Sequence, residues 1–204
     1  MLAAPPPEAL RLLQAALTCA SGAEGLARPA RARDLVQRLQ AGQAFAATLA
    51  GARLEAAANL LVCREAGEAA RGGLQPLALE AGRPAVWDGR FEVMAPQAGW
   101  TVRALSGHAS RLGEADRVRL RAIPATARAS MPVLSRSDAP SQPVHLALGD
   151  EGDHIDVTGG LSRPLGEERF AGAAGLVAVE SEIGTIARMA NSQPPPYVEA
   201  VGKD

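Results

Sequence analysis

Between Phe45 and Leu105 the apolar residues arrive in short runs, each closed by a turn signal, and this rhythm limits the middle of the chain to antiparallel β-structure. The runs are Thr48-Leu49, Leu60 to Cys63, Leu77 to Leu79, Val86-Trp87, Phe91 to Met94 and Trp100 to Leu105. The sharpest signal is the stretch from Val86 to Phe91. Its Asp88-Gly89 pair tolerates the two positive φ angles of a type I′ turn, whose twist matches that of the strands it joins. Pro96 to Gly99 supplies the next turn, so a small antiparallel sheet is expected here.

Helical signals flank these strands. Pro5, Pro6 and Pro7 stand before Glu8, which suits a helix N-terminus, and Leu10, Leu13 and Leu17 then form one apolar stripe. After a break from Gly22 to Gly25, a second helix is expected from Pro29 to Ala41, with Leu35, Val36 and Leu39 inward and Gly42 as its cap. Its other side carries Arg31, Arg33 and Arg38. Asp34 precedes Arg38 by one turn and can pair with it, which would make this an ordinary solvated face. From Gly113 to Ala129 the sequence is again helical, opening on Glu114 and Asp116 and ending near Ile123 before Pro124. Arg117 to Ala122 also alternates as a strand would, but the acidic start and the proline favour a helix. Residues 135 to 166 read as loop-rich around a strand at Val144 to Leu148. Glu167 to Ala174 reads as a short helix, Leu176 to Val179 as a last strand and Ser181 to Asp204 as a frayed tail. The class is α+β: a helical segment over 1–43, a mainly antiparallel sheet domain with short helices over 44–180, and a disordered tail over 181–204.

Only six of the 204 residues are aromatic, so Ala, Leu and Val must fill the core. No apolar run is long enough to span a membrane and no basic-then-apolar leader opens the chain, so a cytoplasmic location is expected. Cys19 and Cys63 suit free thiols better than a disulfide framework. The net charge of −1 conceals two opposed halves: residues 1–136 hold 17 Arg against 11 acids, while residues 137–204 hold 4 basic groups against 11 acids. A basic half suggests a polyanion partner. Twenty of the 21 cations are arginine, which suits bidentate contact with phosphate, although an Ala- and Arg-rich composition is also what a GC-rich genome produces.

Catalytic signatures are missing. A nucleotide enzyme needs a glycine loop opening a helix, and Gly72-Gly73 and Gly159-Gly160 lack that context. His108, His145 and His154 are scattered without metal-ligand spacing, and the acidic run from Asp150 to Asp156 lacks the ligand register of a calcium loop. Ser106 and Ser162 sit in no nucleophile elbow. No catalytic, cofactor or metal residues are therefore assigned.

The informative segment runs from Ile123 to Leu134. Pro124 can begin a one-turn helix and Pro132 must end it, which fixes Arg128 near the helix C-terminus while Val133 and Leu134 enter a strand. Arg128 can then satisfy terminal carbonyls, or project with Arg117 and Arg121 into an anion-binding surface. Arg117 and Arg121 lie one turn apart and repel mildly, so an acid or a phosphate is expected to neutralise them.

This pattern, Pro124, Arg128 and Pro132-Val133-Leu134, preceded by a basic helix and followed by the Val144 to Leu148 run, resembles the C-terminal domain of bacterial tRNA(Ile)-lysidine synthetases. The hairpin from Trp87 to Phe91 strengthens the match; the likeness is clearest over 86–149 and looser over 8–64. The resemblance implies an ATP-dependent ligase that joins lysine to the wobble cytidine of an isoleucine tRNA. In that family a Ser-Gly-Gly-x-Asp-Ser loop of an N-terminal domain binds ATP, with magnesium, while the later parts dock the tRNA. No such loop occurs in this sequence, which leaves open a C-terminal fragment, a split gene product or a gene decayed at its front, and whether the chain acts as an enzyme. The expected partners are tRNA and a separate or covalently joined ATP-binding domain. The RNA contacts expected are Arg117, Arg121 and Arg128, then Arg31, Arg33 and Arg38, with Trp87 and Arg90 at the hairpin. The rival expectation is a non-catalytic protein-interaction or vestigial domain.

Overall fold

A computed structural model of the chain describes residues 7–137, 139, 141–148 and 161–165. Helix α1 spans Pro7–Ser21 and α2 spans Pro29–Gln40, each opening on its proline. Leu13 and Leu17 of α1 and Leu35 and Val36 of α2 are buried, as their spacing predicts, and Leu10 is partly so. The loop between the helices is tied down from inside by Gln14, whose Nε2 donates to Ala27 O at 2.8 Å. At the end of α2, Gly42 adopts φ 64°, its N–H donates to Leu39 O and the next N–H, from Gln43, reaches back to Arg38 O. This double closure satisfies two terminal carbonyls and needs a residue that accepts the left-handed conformation, the role expected of Gly42.

A three-strand antiparallel meander follows, β1 (Phe45–Leu49), β2 (Ala52–Ala56) and β3 (Leu60–Arg64), in the order β1-β2-β3. Ala50 and Gly51 turn the first hairpin with φ of 52° and 80°. Strand β2 is not expected: Ala, Arg, Leu and Glu are good helix formers, and pairing with β1 and β3 together with the packing of Ala52 and Leu54 against the helices holds them extended. Helices and meander share one core, formed by Leu13, Leu17, Leu35, Val36, Ala52 and Leu54.

The remaining strands form two further sheets, where the sequence predicts one. One is the four-strand order β4 (Leu77–Leu79), β7 (Trp100–Ala104), β8 (Pro132–Arg136), β9 (His145–Leu146); the other is β10 (Leu161–Pro164), β6 (Phe91–Met94), β5 (Ala85–Trp87). Short strands interrupted every few residues curl into separate pieces rather than one ladder, and Ala95, a bridge partner of Ala81, marks where the chain leaves β6. Strand β10 lies in a stretch read as loop, since nothing in Leu161 to Pro164 alternates. Strand β9 is shorter than the Val144 to Leu148 run, because Val144 bridges to Leu112 instead and the Ala147 N–H donates to Pro132 O. A second core of Leu79, Trp87, Phe91, Val93, Trp100, Val102 and Leu134 joins these sheets. A third, of Leu105, Leu112, Val133, Val144 and Leu146, lies beneath α3 (Glu114–Arg121). The expected helix over 167–174, strand over 176–179 and tail over 181–204 lie outside the described residues.

The β5–β6 hairpin locks these parts together. Asp88 and Gly89 take φ of 51° and 64°, the type I′ pair predicted, and Arg90 N–H closes the turn on Trp87 O. Its tip meets the end of α1 so closely that a Cβ at Gly22 would lie 1.9 Å from Asp88 O, and one at Gly89 2.2 Å from Gly22 O. The Asp88 carboxylate, 5% exposed, accepts two bonds from Arg64 (Nε at 3.0 Å, Nη2 at 2.8 Å) and one from Arg90 Nε at 2.7 Å. Arg90 continues to Ser130 O at 2.7 Å and Arg64 to Gly51 O at 3.1 Å. Burial pulls the Arg90 guanidinium below its ordinary value, and Asp88 opposes that pull.

Helix α4 (Ala125–Arg128) covers the outer side of the meander through Thr126, whose hydroxyl donates to Glu55 Oε2 at 3.0 Å. Arg53 first, then Thr126, holds the Glu55 carboxyl below the usual carboxylate range. A depressed folded pKa stabilises the fold above the unfolded value and is lost as the pH falls through the folded one. Glu55→Gln should therefore reduce the loss of stability on acidification, leaving a flatter thermal midpoint against pH across and below the ordinary carboxylate range. An unchanged acid limb would show that this contact is not formed in solution. Neither cysteine forms a disulfide; Cys63 in β3 is buried and its thiol is pushed up by desolvation.

Candidate nucleic-acid interface

The basic helix α3 divides its two opening acids between different tasks. Asp116 is turned inward, where Oδ2 accepts the Leu146 N–H at 3.0 Å and Oδ1 accepts Arg119 Nη1 at 3.2 Å; His145 Nδ1 lies 4.0 Å away. That carboxylate fastens α3 to β9. Glu114 stays outside and takes both exposed arginines, Arg117 at 3.7 Å and Arg121 at 3.4 Å. One carboxylate thus neutralises two guanidiniums in part. Both remain accessible, with side chains 46% and 68% exposed.

Arg128 satisfies carbonyls. Its Nε donates to Ile123 O at 2.8 Å and its Nη2 to Arg121 O at 3.2 Å, so the proline-bracketed α4 carries a cap for the C-terminal end of α3. Arg117, Arg121 and Arg128 therefore come together around one helix. Arg128 stays half-buried and does its local work first.

On α2 the arginines divide similarly. Arg31 and Arg38 line a groove of about 280 Å³ with Asp34 and Thr48, between the helix and β1, while Arg33 is exposed. The expected Asp34–Arg38 pair does not form; Arg38 lies 3.9 Å over the Phe45 ring and donates to Gln43 Oε1 instead. The aromatic face at the start of β1 competes for the guanidinium, which stacks well on such rings.

Trp87 and Arg90 lie inside. Trp87 is 1% exposed and donates Nε1–H to Gln75 O at 2.8 Å, and Arg90 is 8% exposed and bound to Asp88 and Ser130. Neither offers a surface to a macromolecule in this conformation: Trp87 packs in the second core, and Asp88 and Ser130 hold Arg90 inside. Arg111, half-buried just before α3, adds a further cation without any periodic signal in the sequence; its one local mark is a lone arginine between Gly107 and Gly113.

Among the described residues no three His, Cys, Asp or Glu side chains gather as a metal site, and no helix is long and apolar enough to cross a membrane. None of the four α-helices among the described residues opens on a run of glycines.

No family profile matches the chain, and no solved structure does. Over 169 residues, 83% of its length, it is 48% identical to the tRNA(Ile)-lysidine synthase of Caulobacter vibrioides, and the match covers 41% of that protein. The chain thus spans about two fifths of the relative it matches. Identity at this level over so much of the chain means common descent, so the resemblance seen around Pro124 and Arg128 holds, and the chain is homologous to part of a tRNA(Ile)-lysidine synthase.

Proposed function

We propose that this chain is the tRNA-docking, C-terminal part of a tRNA(Ile)-lysidine synthetase acting in the cytoplasm. It positions the tRNA for ATP-dependent joining of lysine to the wobble cytidine, a step carried out by another module that binds ATP and magnesium. The observation that carries this reading is the arginine cluster of α3, where Glu114 is shared between Arg117 and Arg121 on the exposed face. Kinship with a tRNA-modifying enzyme supplies the class of polyanion. No step of the chemistry runs through this chain. Its arginines contact phosphates and set register, while base identity is read elsewhere.

The test is the salt dependence of tRNA affinity. Each phosphate contact contributes about 0.7–0.9 to the slope of log affinity against log salt, so Arg117→Ala with Arg121→Ala should flatten that slope by about 1.5. A chain that binds no tRNA, or binds it independently of salt, ends this reading.

A second reading, a protein-contact domain, has one observation in its favour. An apolar groove of about 550 Å³ runs between α1, α2 and β3, with Leu12 and Leu60 on its rim 48% and 47% exposed. Capture from lysate before and after nuclease treatment separates the two, since a protein partner survives the nuclease and an RNA partner does not.

A further inference from the structure

Where the turn Ala109–Arg111, the start of α3 and the segment 141–143 meet, the surface sinks into an open cavity of about 370 Å³ lined by Ser110, Arg111, Leu112, Gly113, Arg117, Ser141 and Pro143. Two guanidiniums enter it, and main-chain carbonyls hold both. Arg111 Nη2 donates to Gln142 O, while its Nη1 lies 3.5 Å from His108 Nδ1. Arg117 Nη2 donates to Ser110 O at 3.1 Å. A carbonyl anchors a guanidinium without neutralising it, and each fork has five donors, so most of its bonding capacity stays open.

The charge around the cavity is correspondingly unbalanced. Arg111 has no carboxylate partner among the described residues, and Glu114 is divided between Arg117 and Arg121. Arg103 of β7 adds to the field: after desolvation, it and Arg111 together hold the His108 pKa below its ordinary value. Anchoring also removes the rotamer freedom that a loose arginine would lose on binding. Arg121, one helical turn beyond Arg117, extends the cations from a point into a row, with about 5–6 Å between successive Cβ atoms. A row of cations suits a polymer of phosphates better than a single small anion.

We propose that this cavity seats one phosphodiester group of the RNA backbone, gripped from two sides by the Arg111 and Arg117 forks. The proposal deepens the docking role and rests on it. The binding is non-covalent, and Ser110 and Ser141 line the same cavity as neutral donors.

Gly113 allows a test in which effects on fold and on binding have opposite signs. It has φ −65° and ψ 164°, an extended conformation open to any residue; it is the N-cap of α3 without a side-chain cap, and a Cβ there meets nothing within 4 Å. Gly113→Asp would supply a cap to the free amides of α3, so stability should hold or rise. It also sets a carboxylate on the cavity wall, where it competes with phosphate for Arg117. The reference is Gly113→Asn, of the same shape and capping power without the charge. With purified chain and a transcribed isoleucine tRNA at low salt, the Asp variant should bind at least tenfold more weakly than the Asn variant, with a thermal midpoint no lower. Equal affinities would show that the cavity holds no phosphate, while the docking role would stand on the salt slope of the unaltered chain. Absence of any tRNA binding by the unaltered chain would overturn both.

Discussion

Asp88→Ala is expected to cost about 3–5 kcal/mol of folding free energy, a large share of the stability of an ordinary domain. The argument is electrostatic. Arg64 and Arg90 are each 8% exposed, and Asp88 is the carboxylate that both of them touch. Without it, two cations stay close together in the interior with no anion between them, only carbonyls and, for Arg90, the Trp87 and Phe91 rings. Deprotonating an arginine offers no escape, because the guanidinium stays charged at any accessible pH. Asp88→Asn keeps the shape and one acceptor oxygen and should fall between the two. Urea titration of all three proteins decides the matter: a loss below about 1 kcal/mol for the alanine variant would mean that water reaches the trio.

Trp87→Ala should be comparably severe, about 3–5 kcal/mol, through the cavity left when an indole is deleted from a core that cannot collapse around it. Trp87 touches the second core beside Phe91, with ring centroids 6.3 Å apart. Trp87→Phe keeps most of this packing but strands Gln75 O, at a cost of about 1–2 kcal/mol. This pair also tests whether the indole meets RNA. As an interior residue, Trp87 exchanged for Phe should leave tRNA affinity unchanged under conditions where the variant is folded. A several-fold loss of affinity in folded Trp87→Phe would place the ring at the interface.

Local chemistry made much of this fold readable. The Asp88-Gly89 turn, the capping at Gly42 and the stop at Pro132 depend on a few neighbouring residues, and each formed where its dihedral preferences demanded. What escaped depends on distant partners. Strand β2 packs Ala52 and Leu54 against α1 and α2, one core joins the two sheets beyond the meander, and neither arrangement is written in neighbouring residues. The site shows the same division. The need for an acid near Arg117 and Arg121 is legible from their spacing, and Glu114 meets it; the carbonyl-capping role of Arg128 follows from its two prolines. That Trp87 and Arg90 point inward is not legible, because a hairpin gives no sign of which core or which distant carbonyl it will meet. Arg38 illustrates a third case: two local partners were available, and the Phe45 ring held it rather than Asp34.

The buried trio has a consequence for shape. Arg64 belongs to the meander that carries α2, Asp88 and Arg90 to the hairpin, and Ser130, which Arg90 grips, to the turn that follows α4 beside α3. The interval between the α2 arginines and the α3 arginines is therefore set in the interior, like two marks on a ruler. On the proposed docking role, a transcript that engages both would need to have, or bend to, a matching contour, and folded geometry would discriminate among RNAs of equal charge before any base is touched.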